Sequence, residues 1–453
     1  MTIAMDRGTE LTAEQQEARA RIYALPLESL NPGNRDLYPS GEMHWVFERL
    51  RAEDPVHFTA DEHTELGHYW SLTKWADIQA ADTDHETFSA EGIIVLGKPV
   101  SAEKAVAAYN DGTMTQEEME AKAKAGSRSL LSMDPPDHEI HRGAVSEGVS
   151  PANLALLEPL IRQRAGAILD SLPIGVEFDW VDKVSIELTA MTLATLFDYP
   201  QEKRRQLTHW SNIMTSLPGP GMAAETEEER AIAVREFFVT ITDLLARRRD
   251  EEPRMDFVSL LAHSPHSQGF SDQELFGDST VLLVGGNDTT RNTITGSVYA
   301  LFKNPEENAK LRANPKLIPS MVSETIRWQT PLTHMARRTT RDVELGGKTI
   351  PKGDRVVMWY VSGNRDEDKI ENGAAYIIDR KNPRQHLSFG FGIHRCLGNK
   401  LAELQLRVIW EEMLARFPEI NVIGEPERSH SRFLSLIHIS EPTRRTPISY
   451  AVF

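Results

Sequence analysis

Apolar residues recur at three- and four-residue spacing over 152–171, 184–197 and 231–247, so each of these stretches predicts an amphipathic helix. The stretch 272–302 predicts a long helix, broken near its centre by Gly285 and Gly286, and 317–329 and 397–417 predict two more. Runs with strand character are short: Val56–Thr59, Tyr69–Leu72, Val343–Leu345 and Arg355–Tyr360. The pattern predicts a mainly α protein with small β-sheets, one near the N-terminus and one late in the chain. Residues 90–130 stand apart, with GIIVLGKPV followed by the polar run NDGTMTQEEMEAKAKAGS. They read as a long surface excursion, either functional or a solvated insertion.

Composition narrows the class. No Gly/Ser or Pro-rich linker and no internal repeat divides the 453 residues, so one large domain over 1–434 is expected, residues 1–30 being an N-terminal extension. Its size is ample for enclosing a cofactor. A net charge of −17 argues against nucleic acid as a main partner, because phosphate binding needs a basic surface. No run of apolar residues is long enough for a transmembrane span, and the N-terminus has no signal-peptide core. One cysteine permits no internal disulfide. A cytoplasmic monomer is expected.

The lone cysteine lies in FGFGIHRCLG, residues 389–398. Glycines at 390, 392 and 398 allow positive φ and close approach of backbone to the sulfur, whose charge N–H groups can then stabilise. The next segment, LGNKLAELQLRVIWEEML, carries Leu397, Leu401, Leu404 and Val408 on one stripe. Cys396 therefore sits near a helix N-terminus, whose dipole favours a thiolate, and His394 and Arg395 add positive charge. A buried structural thiol and a cysteine nucleophile with a histidine base are the competing readings.

Residues 281–290 read VLLVGGNDTT. Paired glycines in mid-helix cost roughly 1 kcal/mol each relative to alanine, so they imply a need for space or a bend. Asp288 and Thr289 form an acid–alcohol pair apt for proton delivery. The alternative is a helix whose threonine bonds to its own backbone. In SETIRW, Glu324 and Arg327 fall three apart on one helix face. In MDPPDHEIHR, Asp134 is a candidate helix cap, Pro135 a first helical residue, and His138 and Arg142 lie four apart.

The pattern Phe389-x-x-Gly392-x-His394-x-Cys396-x-Gly398, the segment GGNDTT and the pair Glu324/Arg327 together resemble the cytochrome P-450 superfamily. The resemblance spans roughly residues 40–434 and implies a triangular, prism-like helical domain enclosing haem b. It implies Cys396 as the iron ligand, with Phe389, Gly390 and Gly398 forming its loop. It assigns His138, Arg142, Arg337 and His394 to the haem carboxylates, Asp288 and Thr289 to proton delivery during dioxygen activation, and Glu324 and Arg327 to a structural brace. The basic third member of that brace falls near Ala375, which cannot serve, and Arg380 is the candidate to compensate.

The segments GGNDTTRN, GDRVVMWYVSGNRDED and QTPLTHMARRT resemble the bacterial alkane and fatty-acid ω-hydroxylase branch. Candidate substrate contacts are Ile94, Val95, Met214, Leu217, Leu283, Val284, Gly285, Leu332 and Met335, an apolar set suited to a substrate without hydrogen-bonding handles. Core packing is the bland reading of each. No Gly-x-Gly-x-x-Gly follows a strand, so electrons are expected from a separate ferredoxin and its reductase. Arg384, His386, Arg395 and Lys400 form a candidate basic dock. A peroxide-driven enzyme of the same fold and a non-catalytic haem-thiolate sensor remain as rivals. From about Leu436, LIHISEPTRRTPISYAVF departs from the family pattern, and residues 435–453 read as a non-native tail.

Overall fold

The computed structural model describes residues 11–97, 128–219, 222–424, 431–434 and 450–452. The polar half of the early excursion and residues 435–449 of the tail lie outside them. The main helices are α1 (Ala13–Ala24), α2 (Met43–Glu53), α3 (Trp75–Thr83), α4 (Asp137–Val145), α5 (Pro151–Asp170), α6 (Glu187–Leu196), α7 (Arg204–Thr215), α8 (Glu227–Arg248), α9 (Asp272–Lys303), α10 (Ile318–Gln329) and α11 (Asn399–Arg416), with shorter helical turns between them. Every helix expected from apolar spacing is present, and α6 is preceded by a π turn over Val181–Ile186.

Strands β1 (Val56–Thr59), β2 (Tyr69–Leu72), β3 (Phe88–Ser89), β4 (Met335–Thr339), β5 (Val343–Leu345), β6 (Lys348–Ile350) and β7 (Arg355–Met358) form two sheets. The larger is ordered β1-β2-β7-β4-β3, and only β2 and β7 run parallel. The expected strand Arg355–Tyr360 stops at Met358. The N–H groups of Ser362, Gly363 and Asn364 turn back to the carbonyls of Trp359 and Tyr360, closing a helical turn instead. Tyr450–Val452 pairs with a strand at Asn421–Ile423.

Ser271 caps α9. Its hydroxyl accepts from the Glu274 N–H, and the Glu274 carboxylate accepts from the Ser271 N–H. The helix then runs unbroken through Gly285 and Gly286, contrary to the expected break. A Cβ at Gly286 would lie 2.7 Å from Leu193 Cδ2, so this glycine serves close packing against α6. A Cβ at Gly285 would meet nothing within 4 Å. The main core gathers Leu193, Trp210, Phe237, Leu283, Ile294, Val298, Leu406 and Trp410 around α9. A second cluster, with Val56, Leu72, Trp75, Met335, Val356 and Leu387, binds the sheet to α3.

Asp134 does not cap α4, which begins at Asp137. Its carboxylate accepts instead from the Ala90 N–H at 3.0 Å and the Ser89 hydroxyl at 2.5 Å, tying the segment before α4 to β3.

Candidate functional site

The cysteine loop is held by its own backbone. The Cys396 N–H donates to the Phe389 carbonyl at 2.8 Å, and the Gly390 N–H to the Leu387 carbonyl at 2.7 Å. Gly390 and Gly392 adopt φ of 64° and 63°, a region costly for residues with a Cβ. They also permit a close approach, although not to the sulfur. A Cβ at Gly390 would stand 3.0 Å from Asp82 Oδ2, and one at Gly392 would stand 2.4 Å from the Asp82 carbonyl oxygen. The loop is pressed against the last turn of α3.

Cys396 precedes the first residue of α11 by three positions, is exposed, and is free. Although solvent reaches it, protein crowds it enough that desolvation pushes its thiol up. The Gly398 N–H, Arg142 and Arg395 oppose that by favouring the thiolate. His394 does not add the expected positive charge, because burial pushes it down to about 2 and leaves the ring neutral.

His394 meets His138 of α4 edge to face, with ring centroids 4.4 Å apart. All four of their ring nitrogens are buried and find no hydrogen-bond partner among the described residues. Burial, reinforced by Arg142, pushes His138 down to about 4. Arg337 is buried on β4, 3.4 Å from Asp82, and Arg142 donates to the Arg395 carbonyl at 2.8 Å. Buried polar atoms are almost always paired, and each orphan costs roughly 1–3 kcal/mol. Two guanidinium groups and two imidazoles able to donate suit a buried dianion beside a thiolate. The donor set therefore fits an iron porphyrin with its two carboxylates.

Along α9, Val281, Val284, Gly285 and Thr289 are partly or fully open on one face. Thr289 donates to the Gly285 carbonyl at 2.8 Å, the backbone bond weighed as an alternative above. Asp288 is turned away and fully buried. Its Oδ2 accepts from Ser211 at 3.0 Å and Thr215 at 3.2 Å on α7, and its Oδ1 from Asn287 at 2.9 Å and Arg291 at 2.8 Å.

The candidate substrate contacts divide. Ile94, Leu332 and Met335 come together at the sheet cluster, and the Ala336 N–H donates to the Ile94 carbonyl at 2.9 Å. Val95 is half-buried beside them in sequence, and Met214 packs against the helical core. Two members require correction. Leu283 is 0% exposed in the main core, because two residues from Val281 and Gly285 is about 200° around a helix. Leu217 stands 65% exposed past the end of α7. Of the proposed dock, His386 is buried, and Arg384 and Lys400 share Glu403 at 3.3 and 3.2 Å.

The pair on α10 is buried and saturated. Arg327 meets both Glu324 oxygens at 2.7 Å and donates to the carbonyls of Asn364, Gly373 and Ala375. Arg380 closes on Glu324 at 2.9 Å and also donates to the Ala375 carbonyl. Position 375 thus contributes its backbone, and the arginine five residues on supplies the charge.

The profile of the family described as Cytochrome P-450 matches residues 174–437, and the chain is 32% identical to linalool 8-monooxygenase of Pseudomonas putida over 89% of its own length and 95% of the relative's. The chain belongs to the cytochrome P-450 family. It is 28% identical to the methyl-branched lipid omega-hydroxylase of Mycobacterium tuberculosis, covering 90% of this chain and 93% of that one. Among solved structures it resembles cytochrome P-450-153 from Novosphingobium aromaticivorans, with 37% identity, a TM-score of 0.79, and coverage of 89% and 96%.

As a P-450, the chain is a haem-dependent monooxygenase, and among the described residues no helix is long and apolar enough to cross a membrane. Sequence reasoning missed Asp82, the buried His334 and the α7 hydroxyls that hold Asp288. Their signals were absent, since each acts through a partner more than 70 residues away. A surface cavity of about 540 Å³, lined by Lys203, Gln206, Glu236 and Arg247 among others on α7 and α8, includes none of the site residues.

Proposed function

We propose that this P-450 hydroxylates the terminal carbon of medium-chain alkanes, alcohols or fatty acids, with electrons delivered by a ferredoxin and its reductase. The observation that carries this reading is the apolar character of the residues on offer. Val281, Val284 and Gly285 on the open face of α9, with Ile94, Leu332 and Met335 at the sheet cluster, present one hydroxyl, Thr289, and no charge. Such a wall selects by shape and apolar contact and gives a polar substrate no anchor. The names of the relatives, acting on a terpene alcohol and on methyl-branched lipids, agree with an apolar chain substrate.

Haem b, held by Cys396 with His138, Arg142, Arg337 and His394 at its carboxylates, supplies the dioxygen-activating chemistry when bound. The chain's own residues manage charge, water and protons. The Gly398 N–H and Arg142 stabilise the thiolate. Thr289, donating to Gly285, leaves its hydroxyl oxygen free to accept a proton-bearing group in the open volume. Asp288 relays protons from the α7 side through Ser211 and Thr215. Arg395, exposed beside the cysteine, offers a cation to an acidic ferredoxin.

Two measurements test the proposal. The reduced carbon-monoxide difference spectrum of the protein is expected to show the thiolate-type Soret band, which Cys396→Ala loses. Incubation with alkanes and fatty acids of graded length and a surrogate ferredoxin system is expected to yield terminal alcohols. Their absence across the series refutes the ω-hydroxylase reading.

A further inference from the structure

We infer that Asp82, on the last turn of α3, is a positioning residue that joins the cysteine loop to Arg337 and, through its charge, sets the reduction potential of the iron. The inference rests on the haem-thiolate reading above. Asp82 is buried, and its carboxylate meets three donors from three separate parts of the chain. Oδ2 accepts from the Phe391 N–H at 2.7 Å, inside the cysteine loop, and from the Tyr360 hydroxyl at 3.2 Å. Oδ1 faces Arg337 Nη2 at 3.4 Å. All three contacts are donors, the surroundings that suit an ionised carboxylate.

Asp82 is an unfavourable residue for its place on general grounds. Its charge lies at a helix C-terminus, where the dipole is negative, and it is removed from water. Burial pushes its carboxyl up, while Arg337, the Phe391 N–H and the Tyr360 hydroxyl pull it back. A residue kept against these costs at the edge of the cluster that holds Ile78 and Leu387 is holding something that an apolar side chain could not. What it holds is the loop. Gly390 and Gly392 bring their backbone against Asp82 so closely that neither tolerates a Cβ without displacement. The Phe391 N–H between them is the group that the carboxylate secures.

The second consequence is electrostatic. Among the described residues, the cation that meets Asp82 is Arg337, which also acts on His394 and His138. A haem carboxylate placed among those residues shares that guanidinium with Asp82. The two anions then compete for one cation, so the neighbourhood of the iron is more negative than a count of the four carboxylate-binding side chains suggests. A fixed negative charge in a low-dielectric site stabilises the oxidised, more positive iron and lowers its potential.

The test uses full-length holoprotein with Asp82→Asn, Asp82→Ala and Tyr360→Phe, read by spectroelectrochemical midpoint potential and by the rate of haem transfer to excess apomyoglobin. Asp82→Asn keeps an oxygen for the Phe391 N–H and removes the charge. It is expected to retain the thiolate-type Soret band and to shift the potential upward. Asp82→Ala is expected to release haem at least tenfold faster. Tyr360→Phe removes a donor without changing charge and is expected to leave the potential near that of the wild type. An unchanged or lower potential in Asp82→Asn, or an equal shift in Tyr360→Phe, overturns the charge role. Haem retention as in the wild type by a folded Asp82→Ala overturns the positioning role. A wild type without the thiolate-type band would overturn the haem-thiolate reading itself, a result distinct from variants that merely match a normal wild type.

Discussion

His334 makes the chain's stability depend on pH in a calculable way. It is fully buried between Leu332 and Met335, with its ring 4.7 Å from Trp359 and 5.8 Å from Phe433. The Leu96 N–H donates to Nε2 at 3.0 Å, so Nε2 carries a lone pair, and Nδ1–H is left to donate to the Arg432 carbonyl at 3.1 Å. Both nitrogens of the neutral ring are in use, and a second proton would set an N–H against the Leu96 N–H. Burial pushes the ring from 6.5 down to about 3. The unfolded chain therefore takes up a proton that the folded protein refuses, and stability falls as pH drops from 6.5 toward 3. At pH 5 the unfolded state gains RT ln(1 + 10^1.5), about 2 kcal/mol, against about 0.2 kcal/mol at pH 7. His334→Gln keeps an acceptor and removes the titration. Urea unfolding of haem-saturated protein at the two pH values should show the wild type losing about 2 kcal/mol more than the variant between about pH 7 and pH 5. Parallel losses in the two proteins would refute the reasoning, because every other titrating group is common to both.

Arg327→Ala leaves Arg380 as the remaining cation on buried Glu324 and takes the Arg327 donor from the Asn364 and Gly373 carbonyls, while Arg380 still reaches that of Ala375. The broken pair costs about 3–5 kcal/mol and the Asn364 and Gly373 carbonyls roughly 1 kcal/mol or more each, comparable with the whole stability of a domain. Soluble, haem-loaded Arg327→Ala at wild-type yield would contradict this. Arg380→Ala keeps the bidentate pair, so a folded protein with a melting temperature lowered by a loss of about 1–3 kcal/mol is expected. Gly392→Ala places a Cβ 2.4 Å from the Asp82 carbonyl oxygen at a φ of 63°, and reduced haem content with a lower melting temperature should follow. Thr289→Ala should still be reduced by the electron donor but should divert reducing equivalents to hydrogen peroxide. Product formation fully coupled to electron consumption in that variant would remove the proton-handling role.

Much of the helical framework was legible because apolar spacing over long segments leaves few ways to bury it, and Pro151–Asp170 and Ile318–Gln329 match their expected bounds closely. The cysteine loop was legible because its residues are contiguous and its glycines have a backbone reason. What failed was inference from one element about another. Gly285 and Gly286 predict a break only if nothing packs on them, and Leu193, about 90 residues upstream, removes the need for a Cβ at 286 without bending the helix. Asp134 predicts a cap only if β3 offers its carboxylate no better donors, and Ser89 and Ala90 do.

Asp288 and Thr289 carry the same lesson into the chemistry. Adjacent in sequence, they read as an acid and an alcohol at one point. On a helix, adjacent side chains diverge by about 100°, so Asp288 and Thr289 do not point at one spot. The structure resolves the divergence by giving each residue a different partner. Thr289 bonds within its own helix, while Asp288 crosses to Ser211 and Thr215 on α7 and is balanced by Arg291. A carboxylate with four donors is too well satisfied to be an unattached proton carrier. In the proposed relay it acts through those donors, and the path from Asp288 to the open face runs between α7 and α9. On that proposal the position of α7 governs delivery as well as access, since the hydroxyls that hold the acid belong to the helix that ends beside Met214.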